Sequence, residues 1–192
     1  AAGAKSPLTN AFGASEGGGD WGVKLRWAGY DALVITGQSE EPVYVWINND
    51  TVELRKASHL WGIEVYEAQQ AIQDEVGDKR ASTALIGPGG ERLVRYACIA
   101  LDLHDFLGRT GLGAVMGAKN VKAVVTYLDK QNFGIHNPDR LNQLNSTMLE
   151  HAKGFGHVYK WGTGGGFSGL HETGGLPVKN YTTNIFPEHE RM

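Results

Sequence analysis

The residues best suited to ligand chemistry lie between positions 108 and 120, where the chain reads GRTGLGAVMGAKN. Four glycines within ten residues leave a backbone that a ligand can approach closely, and Arg109 and Lys119 flank it. Main-chain amides at a helix start, together with a guanidinium that can bind two oxygens at once, favour a phosphate. The same pattern is typical of a tight turn with close helix packing, in which Arg109 is only a surface charge.

A second glycine-rich segment lies near the start of the chain. Residues 15–20 read SEGGGD, and they precede a short helical pattern and the β-branched run at 32–36. The 108–120 segment likewise precedes an apolar run, at 121–128. Because the same order occurs twice, the repetition favours the binding interpretation. It predicts a ligand with two anionic groups, or two copies of one ligand.

Other nucleotide and metal motifs fit less well. Residues 117–120 read GAKN, which lacks the Gly-Lys pair and the hydroxyl of a P-loop. A Rossmann fingerprint is closer, because Gly111 and Gly113 have its first spacing and Asp129 lies near the end of the next predicted strand. Its third glycine is displaced, and the run to that strand is too short for a crossover helix. The seven histidines show no H-x-x-x-H or H-E-x-x-H spacing, so we predict no zinc site or catalytic triad.

Composition limits the class of protein. A chain of 192 residues and 20.8 kDa fits one domain with a sizeable core. The net charge of −3 gives no basic field for nucleic acid, and no apolar run approaches the ~20 residues of a membrane span. Cys98 is the single cysteine, which excludes an internal disulfide and a multi-thiolate metal site built from this chain alone. The first residues show no signal-peptide pattern, and we expect a cytoplasmic protein.

The hydrophobic pattern predicts the elements that must position these segments. Strands are expected at 32–36, 43–47, 51–55, 82–86, 93–101 and 121–128, and helices at 64–76 and 139–153. Leu141, Leu144 and Met148 are expected on the buried side of the second helix. Beyond residue 153 the chain is glycine-rich and almost without periodicity. Strands in hairpins with helices between them predict an α+β fold.

Several longer motifs carry a resemblance to a known family. KSPLT at 5–9, AGYDALVITG at 28–37, IGPGGERLVRYA at 86–97, GRTGLGAVMGAKNVKAV at 108–124 and GGLPVKNY at 174–181 occur in this order. Together with PVYVWI at 42–47 and ASHLWG at 57–62, they resemble the N-terminal domain of the tungsten-containing aldehyde ferredoxin oxidoreductases. The resemblance implies an α+β base of two β-sheets with short helices. We accordingly predict a tungstopterin-binding base at 1–130, followed at 131–192 by a helix and a glycine-rich tail.

The resemblance also implies the cofactor, a tungsten or molybdenum ion held by two pterins whose phosphates are joined through magnesium. One cofactor with two phosphate ends would account for two glycine segments. A carboxylate at Glu16, where a family member has asparagine, would repel phosphates unless the metal or Arg109 offsets it. Backbone carbonyls of Glu16 and Thr110 are implied as magnesium ligands. The implied cofactor-binding residues are Glu16, Gly18, Gly19, Arg109, Thr110, Gly111 and Gly113.

The implied activity is oxidation of an aldehyde to a carboxylic acid, with ferredoxin as electron acceptor and a homodimer as a common assembly. Family members are much longer, so the helical domains that carry the [4Fe–4S] cysteines and the catalytic groups have no counterpart here. No catalytic residue is therefore assigned, and we expect a piece of a longer polypeptide without activity of its own. Two alternatives stay open: a nucleotide- or diphosphate-binding module, and a cofactor-free structural subunit with the same fold.

Overall fold

The computed structural model describes residues 1–128, 134–188 and 191, and it divides the chain into two compact units, Ala1–Gly134 and Ile135–Met192. In the first unit the strands are β1 (Ala2–Lys5), β2 (Phe12–Ser15), β3 (Val43–Asn48), β4 (Thr51–Lys56), β5 (Ser82–Leu85), β6 (Ile99–Leu101), β7 (Asp105–Leu107) and β8 (Val121–Tyr127). Its helices are α1 (Trp21–Trp27), α2 (Val65–Val76), α3 (Pro88–Glu91) and α4 (Leu112–Ala118). The second unit contains α5 (Pro138–Lys153), α6 (Gly156–Trp161) and α7 (Phe167–Glu172).

The first unit contains two sheets. Strands β1 and β2 form an antiparallel pair, and the other strands form a six-stranded sheet in the order β4-β3-β8-β5-β6-β7. Only β3 and β8 run parallel among its described pairs, and the remaining neighbours are antiparallel. The predicted α+β fold with two sheets and short helices is confirmed.

The strand directions rule out the Rossmann alternative. Helix α4 connects β7 to β8, and the antiparallel pairings between them make these two strands run in opposite directions. A βαβ crossover requires parallel strands, so α4 does not open a dinucleotide-binding unit. Asp129, the acidic residue of that alternative, lies outside the described residues.

The centre of the six-stranded sheet is covered on both faces, which explains the continuous apolar run of β3. Tyr44 and Trp46 point into a cluster shared with α2, whereas Val45 and Ile47 point into a cluster shared with α1 and α4. A strand that is buried on both faces has no polar side, so its sequence does not alternate. The two clusters hold α2 and α4 on opposite faces of one sheet.

Two predicted strands are wrong in whole or in part. Residues 32–36 form no strand, although Leu33 and Ile35 pack against the core and Val34 is 82% exposed. Their inward and outward alternation is that of a strand, but β-structure also needs a partner ladder, and no described strand pairs with this run. In the predicted strand at 93–101 only β6 forms, because Leu93 has a φ of 58° and turns occupy the residues around it. The Val94 N–H donates to the Gly89 carbonyl and the Ala97 N–H to the Val94 carbonyl, so neither is available for a strand ladder.

In the second unit, α5 begins as predicted. The side chain of Asn137 accepts a hydrogen bond from the Arg140 N–H at 2.9 Å, and Pro138 occupies the first turn. The expected buried side is wrong, because no residue of α5 is buried and Leu141, Leu144 and Met148 are all exposed. Periodicity fixes which face of a helix is apolar, whereas burial requires a surface to cover that face. None of the helices within the described ranges has both the length and the apolar composition needed to cross a bilayer.

Candidate functional site

Strand β7 brings the two glycine segments together. It is one of the two edge strands of the six-stranded sheet, and the 108–120 segment begins directly after it. The 15–20 segment lies along the same strand: Gly17 backs onto Leu107, and Gly18 and Gly19 lie against the Asp105 carboxylate. The backbone N–H of Arg109 donates to the Ser15 hydroxyl at 3.2 Å. Two segments almost a hundred residues apart in sequence therefore form one surface.

A buried serine holds the turn at Thr110. The Ser6 hydroxyl donates to the Thr110 carbonyl at 2.7 Å, and it accepts hydrogen bonds from the Leu8 and Thr9 amides. Its side chain is completely buried. A carbonyl oxygen has two lone pairs, so this contact leaves Thr110 with one acceptor position for a ligand.

The glycines at 111 and 113 serve packing between main chains. A Cβ on Gly111 would lie 1.9 Å from the Arg95 carbonyl oxygen, and Gly111 also has a φ of 73°. A Cβ on Gly113 would lie 2.3 Å from the Cys98 carbonyl oxygen, and the Gly113 N–H already donates to the Ala97 carbonyl at 3.0 Å. For these two positions the close-packing interpretation of the sequence applies, and the Gly113 amide is already in use within the protein.

What remains available to a ligand is a set of exposed groups on both segments. Glu16, Gly18, Gly19 and Arg109 are all exposed. The Arg109 guanidinium makes no hydrogen bond or ion pair with any residue that the structure describes. An unpaired guanidinium on a turn that is joined to a glycine segment suits an anion, and the carboxylates of Glu16 and Asp105 suit a cation.

The sequence gives only part of this arrangement. Ser6 belongs to the KSPLT motif, but nothing in its spacing indicates that it contacts residue 110. Ser15 adjoins the first glycine cluster without an evident role, and Asp105 falls in a polar stretch that carries no strand pattern. All three are brought to the site by tertiary contacts that the sequence pattern does not reveal.

An apolar cavity of about 470 Å³ lies beside α4, which contributes Leu112 and Met116 to its lining. Its lining includes Trp21, Leu25, Leu33, Ile35 and Met116. None of the predicted cofactor-binding residues lines it. The cavity therefore adjoins the glycine surface at Leu112 without including the residues predicted to bind the cofactor.

The fold and the site define an α+β domain whose exposed glycine backbone and unpaired arginine suit a doubly anionic ligand with a cation. The chain belongs to the aldehyde ferredoxin oxidoreductase family: residues 1–127 match the family model described as "Aldehyde ferredoxin oxidoreductase, N-terminal domain". This confirms the predicted family and the assignment to a domain of an oxidoreductase.

Curated relatives agree with this assignment. The chain is 40% identical over 190 residues to the tungsten-containing aldehyde ferredoxin oxidoreductase of Pyrococcus furiosus, a match that covers 95% of the chain and 31% of the relative. It is 41% identical over 192 residues to the protein of the same name from Thermococcus kodakarensis, covering 96% of the chain and 31% of the relative. The "Aliphatic sulfonate oxidoreductase, WOR-like subunit" of Pyrococcus furiosus is 33% identical over 199 residues, with coverage of 97% and 32%.

A solved structure has the same fold. The active site complex BamBC of benzoyl coenzyme A reductase, in complex with 1,5-dienoyl-CoA, superposes with a TM-score of 0.74 at 39% sequence identity. The match covers 79% of this chain and 23% of that one. The chain thus spans 31% of the length of the first two curated relatives.

Proposed function

We propose that the surface formed by residues 15–20 and 108–113 binds the phosphates of a tungsten or molybdenum bis-pterin cofactor. The observation that carries the proposal is the hydrogen bond from the Arg109 N–H to Ser15, in a chain of this family. It joins the residue with the exposed, unpaired guanidinium to the segment that bears the exposed Gly18 and Gly19. A guanidinium can bind two phosphate oxygens at once, and glycines let phosphates approach the main chain. Arg109, Gly18 and Gly19 are the residues that would contact them.

A magnesium ion between the phosphates would explain why carboxylates lie so near an anion site. The carbonyl oxygen of Thr110, fixed by Ser6, and the carbonyl of Glu16 are the proposed ligands from this chain. Main-chain oxygens are suitable ligands for this hard cation. The divalent charge would offset the repulsion between phosphate and the carboxylates of Glu16 and Asp105. Gly111 and Gly113 would act by shaping the turn.

In this proposal the chain's own residues place the cofactor and perform no bond chemistry. When bound, the cofactor would supply two-electron oxidation of an aldehyde to a carboxylic acid. Arg109 neutralises phosphate charge, Ser6 holds the Thr110 carbonyl in place, and Ser15 fixes the backbone of Arg109. We further propose that ferredoxin accepts the electrons through a [4Fe–4S] cluster held by parts of the protein beyond these residues. A cytoplasmic location and a homodimer belong to the same proposal.

The decisive experiment measures tungsten and molybdenum per chain in the natural-length protein, purified without oxygen, by elemental mass spectrometry. We expect near-stoichiometric metal in the wild type and a severalfold loss in Arg109→Ala, because two charge-assisted hydrogen bonds are removed. Arg109→Lys keeps the charge but loses the fork, so its occupancy should be intermediate.

The matched control is Lys56→Ala. Lys56 is an exposed cation on β4, at the opposite edge of the sheet from β7, and its loss should leave the metal content unchanged. A wild-type protein without either metal overturns the proposed cofactor. Full occupancy in Arg109→Ala overturns the role of Arg109 alone.

A further inference from the structure

Lys122 and Glu91 form a buried ion pair between β8 and α3. The Lys122 ammonium on β8 lies 2.5 Å from a carboxylate oxygen of Glu91 at the end of α3, and the two side chains are 0% and 3% exposed. Each group has a second partner in the same loop. Lys122 donates to the Ile63 carbonyl at 3.1 Å, and the other Glu91 oxygen accepts from the Gly62 N–H at 2.7 Å. The pair therefore joins β8, α3 and the loop at 62–63.

The backbone of β8 is irregular at the lysine. Val43 of β3 pairs with Val121, and the next residue, Tyr44, pairs with Ala123, so Lys122 has no opposite residue on β3. Such a bulge changes the direction of a side chain relative to a regular strand. A charged side chain at the second position of a mostly apolar strand is costly to bury, and it persists here because an ion pair and a hydrogen bond satisfy it.

What Glu91 anchors is a helix in direct backbone contact with α4. A Cβ on Gly117 would lie 2.0 Å from the Gly90 carbonyl oxygen, and a Cβ on Gly90 would lie 2.9 Å from the Gly113 carbonyl oxygen. No side chain separates the two helices at these points. Because main-chain atoms cannot rotate out of the way as side chains do, a displacement of α3 displaces α4 as well.

The chain after α3 continues this support. The Arg95 carbonyl presses against Gly111, and the Ala97 carbonyl accepts the Gly113 N–H at 3.0 Å. The 109–113 turn therefore packs against residues 88–97. The ion pair links residues 88–97 to β8, at the centre of the sheet.

We propose that Lys122 and Glu91 are positioning residues, which fix α3 and thereby hold Arg109 and Thr110 in the geometry that the candidate site requires. The connection to a cofactor rests on the proposed function, whereas the mechanical coupling from the ion pair to the 109–113 turn stands on the contacts alone. The coupling and the cofactor are accordingly measured separately.

The test compares Glu91→Gln with Ile72→Ala in the natural-length protein. Glu91→Gln leaves the buried ammonium without its counter-charge, whereas Ile72→Ala removes buried apolar atoms on the α2 face and serves as the control for general loss of stability. Hydrogen exchange by mass spectrometry follows peptides from 108–120 and from 65–76, and tungsten per chain is determined on the same samples. Exchange needs no cofactor, so a wild type without metal overturns the proposed function and leaves this test intact.

We expect Glu91→Gln to speed exchange at 108–120 about tenfold more than at 65–76, and to lower tungsten per chain by a larger factor than Ile72→Ala does. Equal acceleration of both peptides, with metal loss no greater than in Ile72→Ala, overturns the proposal. If Glu91→Gln fails to fold, the apolar pair Glu91→Leu with Lys122→Met supplies the test, since such replacements commonly preserve stability. The free energy of unfolding of this double variant should be close to that of the wild type, yet its amides at 108–120 should still exchange faster than those of the wild type. Wild-type exchange there refutes positioning by the polar pair.

Discussion

Replacing Gly113 with alanine tests whether α4 really touches the chain at 97–98. The added Cβ would lie 2.3 Å from the Cys98 carbonyl oxygen and 2.9 Å from the Ala97 carbonyl. Both obstacles are main chain, so the helix must shift, at an overpacking cost of about 1–3 kcal/mol. The shift also weakens the Gly113 hydrogen bond to Ala97, worth about 1 kcal/mol, whereas alanine returns up to about 1 kcal/mol in helix propensity. The net destabilisation is roughly 2 kcal/mol.

The matched control is Gly22→Ala. Gly22 lies in the seven-residue helix α1, and nothing approaches within 4 Å of where its Cβ would stand. The same chemical change there should stabilise the protein by up to about 1 kcal/mol. Urea unfolding followed by tryptophan fluorescence measures both free energies of unfolding. If Gly113→Ala is as stable as Gly22→Ala, the close approach is absent and the packing account of the 108–120 segment fails.

Two further predictions concern buried hydroxyl groups. Ser6→Ala removes the partner of the Thr110 carbonyl and of two amides, so it should lower the free energy of unfolding by about 2 kcal/mol. The control Ser146→Ala, on an exposed helix, should change that free energy by less than about 0.5 kcal/mol. Equal urea midpoints for the two variants would contradict the role of Ser6. Burial and the hydrogen bond to Glu75 raise the pKa of Tyr44 to about 12, so the native state holds this proton more tightly than the unfolded chain, where the pKa is about 10. The stability that this proton contributes is complete below pH ~10 and is lost as the pH rises towards ~12. Across that range the free energy of unfolding, measured by urea titration, should fall by about 2 kcal/mol more in the wild type than in Tyr44→Phe. Identical pH profiles of the two proteins would refute this prediction.

Much of the fold follows from local pattern. The β3–β4 hairpin, helix α2 ending at Gly77, and the Asn137–Pro138 start of α5 were all readable, because turn chemistry, capping and periodicity act over a few residues. The strand at 32–36 fails for a complementary reason. Its residues have the right type and alternation, but a strand exists only where another strand supplies hydrogen bonds, and that information is not local.

The residues of the candidate site also differ in whether local sequence reveals them. Arg109 and the exposed glycines are visible in the sequence because their residue types are unusual for their position. Ser6 and Asp105 are not, since an ordinary serine after β1 and an ordinary aspartate on β7 become site residues only when the fold brings distant segments together. The role of Lys122 is still harder to predict from the sequence, because a lysine in a strand is expected to face solvent, whereas this one is buried.

The glycines of the 108–120 segment illustrate how one composition can have two causes. Gly111, Gly113 and Gly117 each lack a side chain because a carbonyl oxygen occupies the space. The glycines of the 15–20 segment are instead exposed, and at Gly18 the nearest atom belongs to a carboxylate side chain that can move. Of the two segments, exposed glycine backbone suited to a phosphate is therefore found in the first and at Gly108, and the rest of the second contributes Arg109 and the Thr110 carbonyl. The tight packing of the second segment fixes the backbone from which the Arg109 side chain extends, whereas the exposed glycines of the first segment have room to adapt to a ligand.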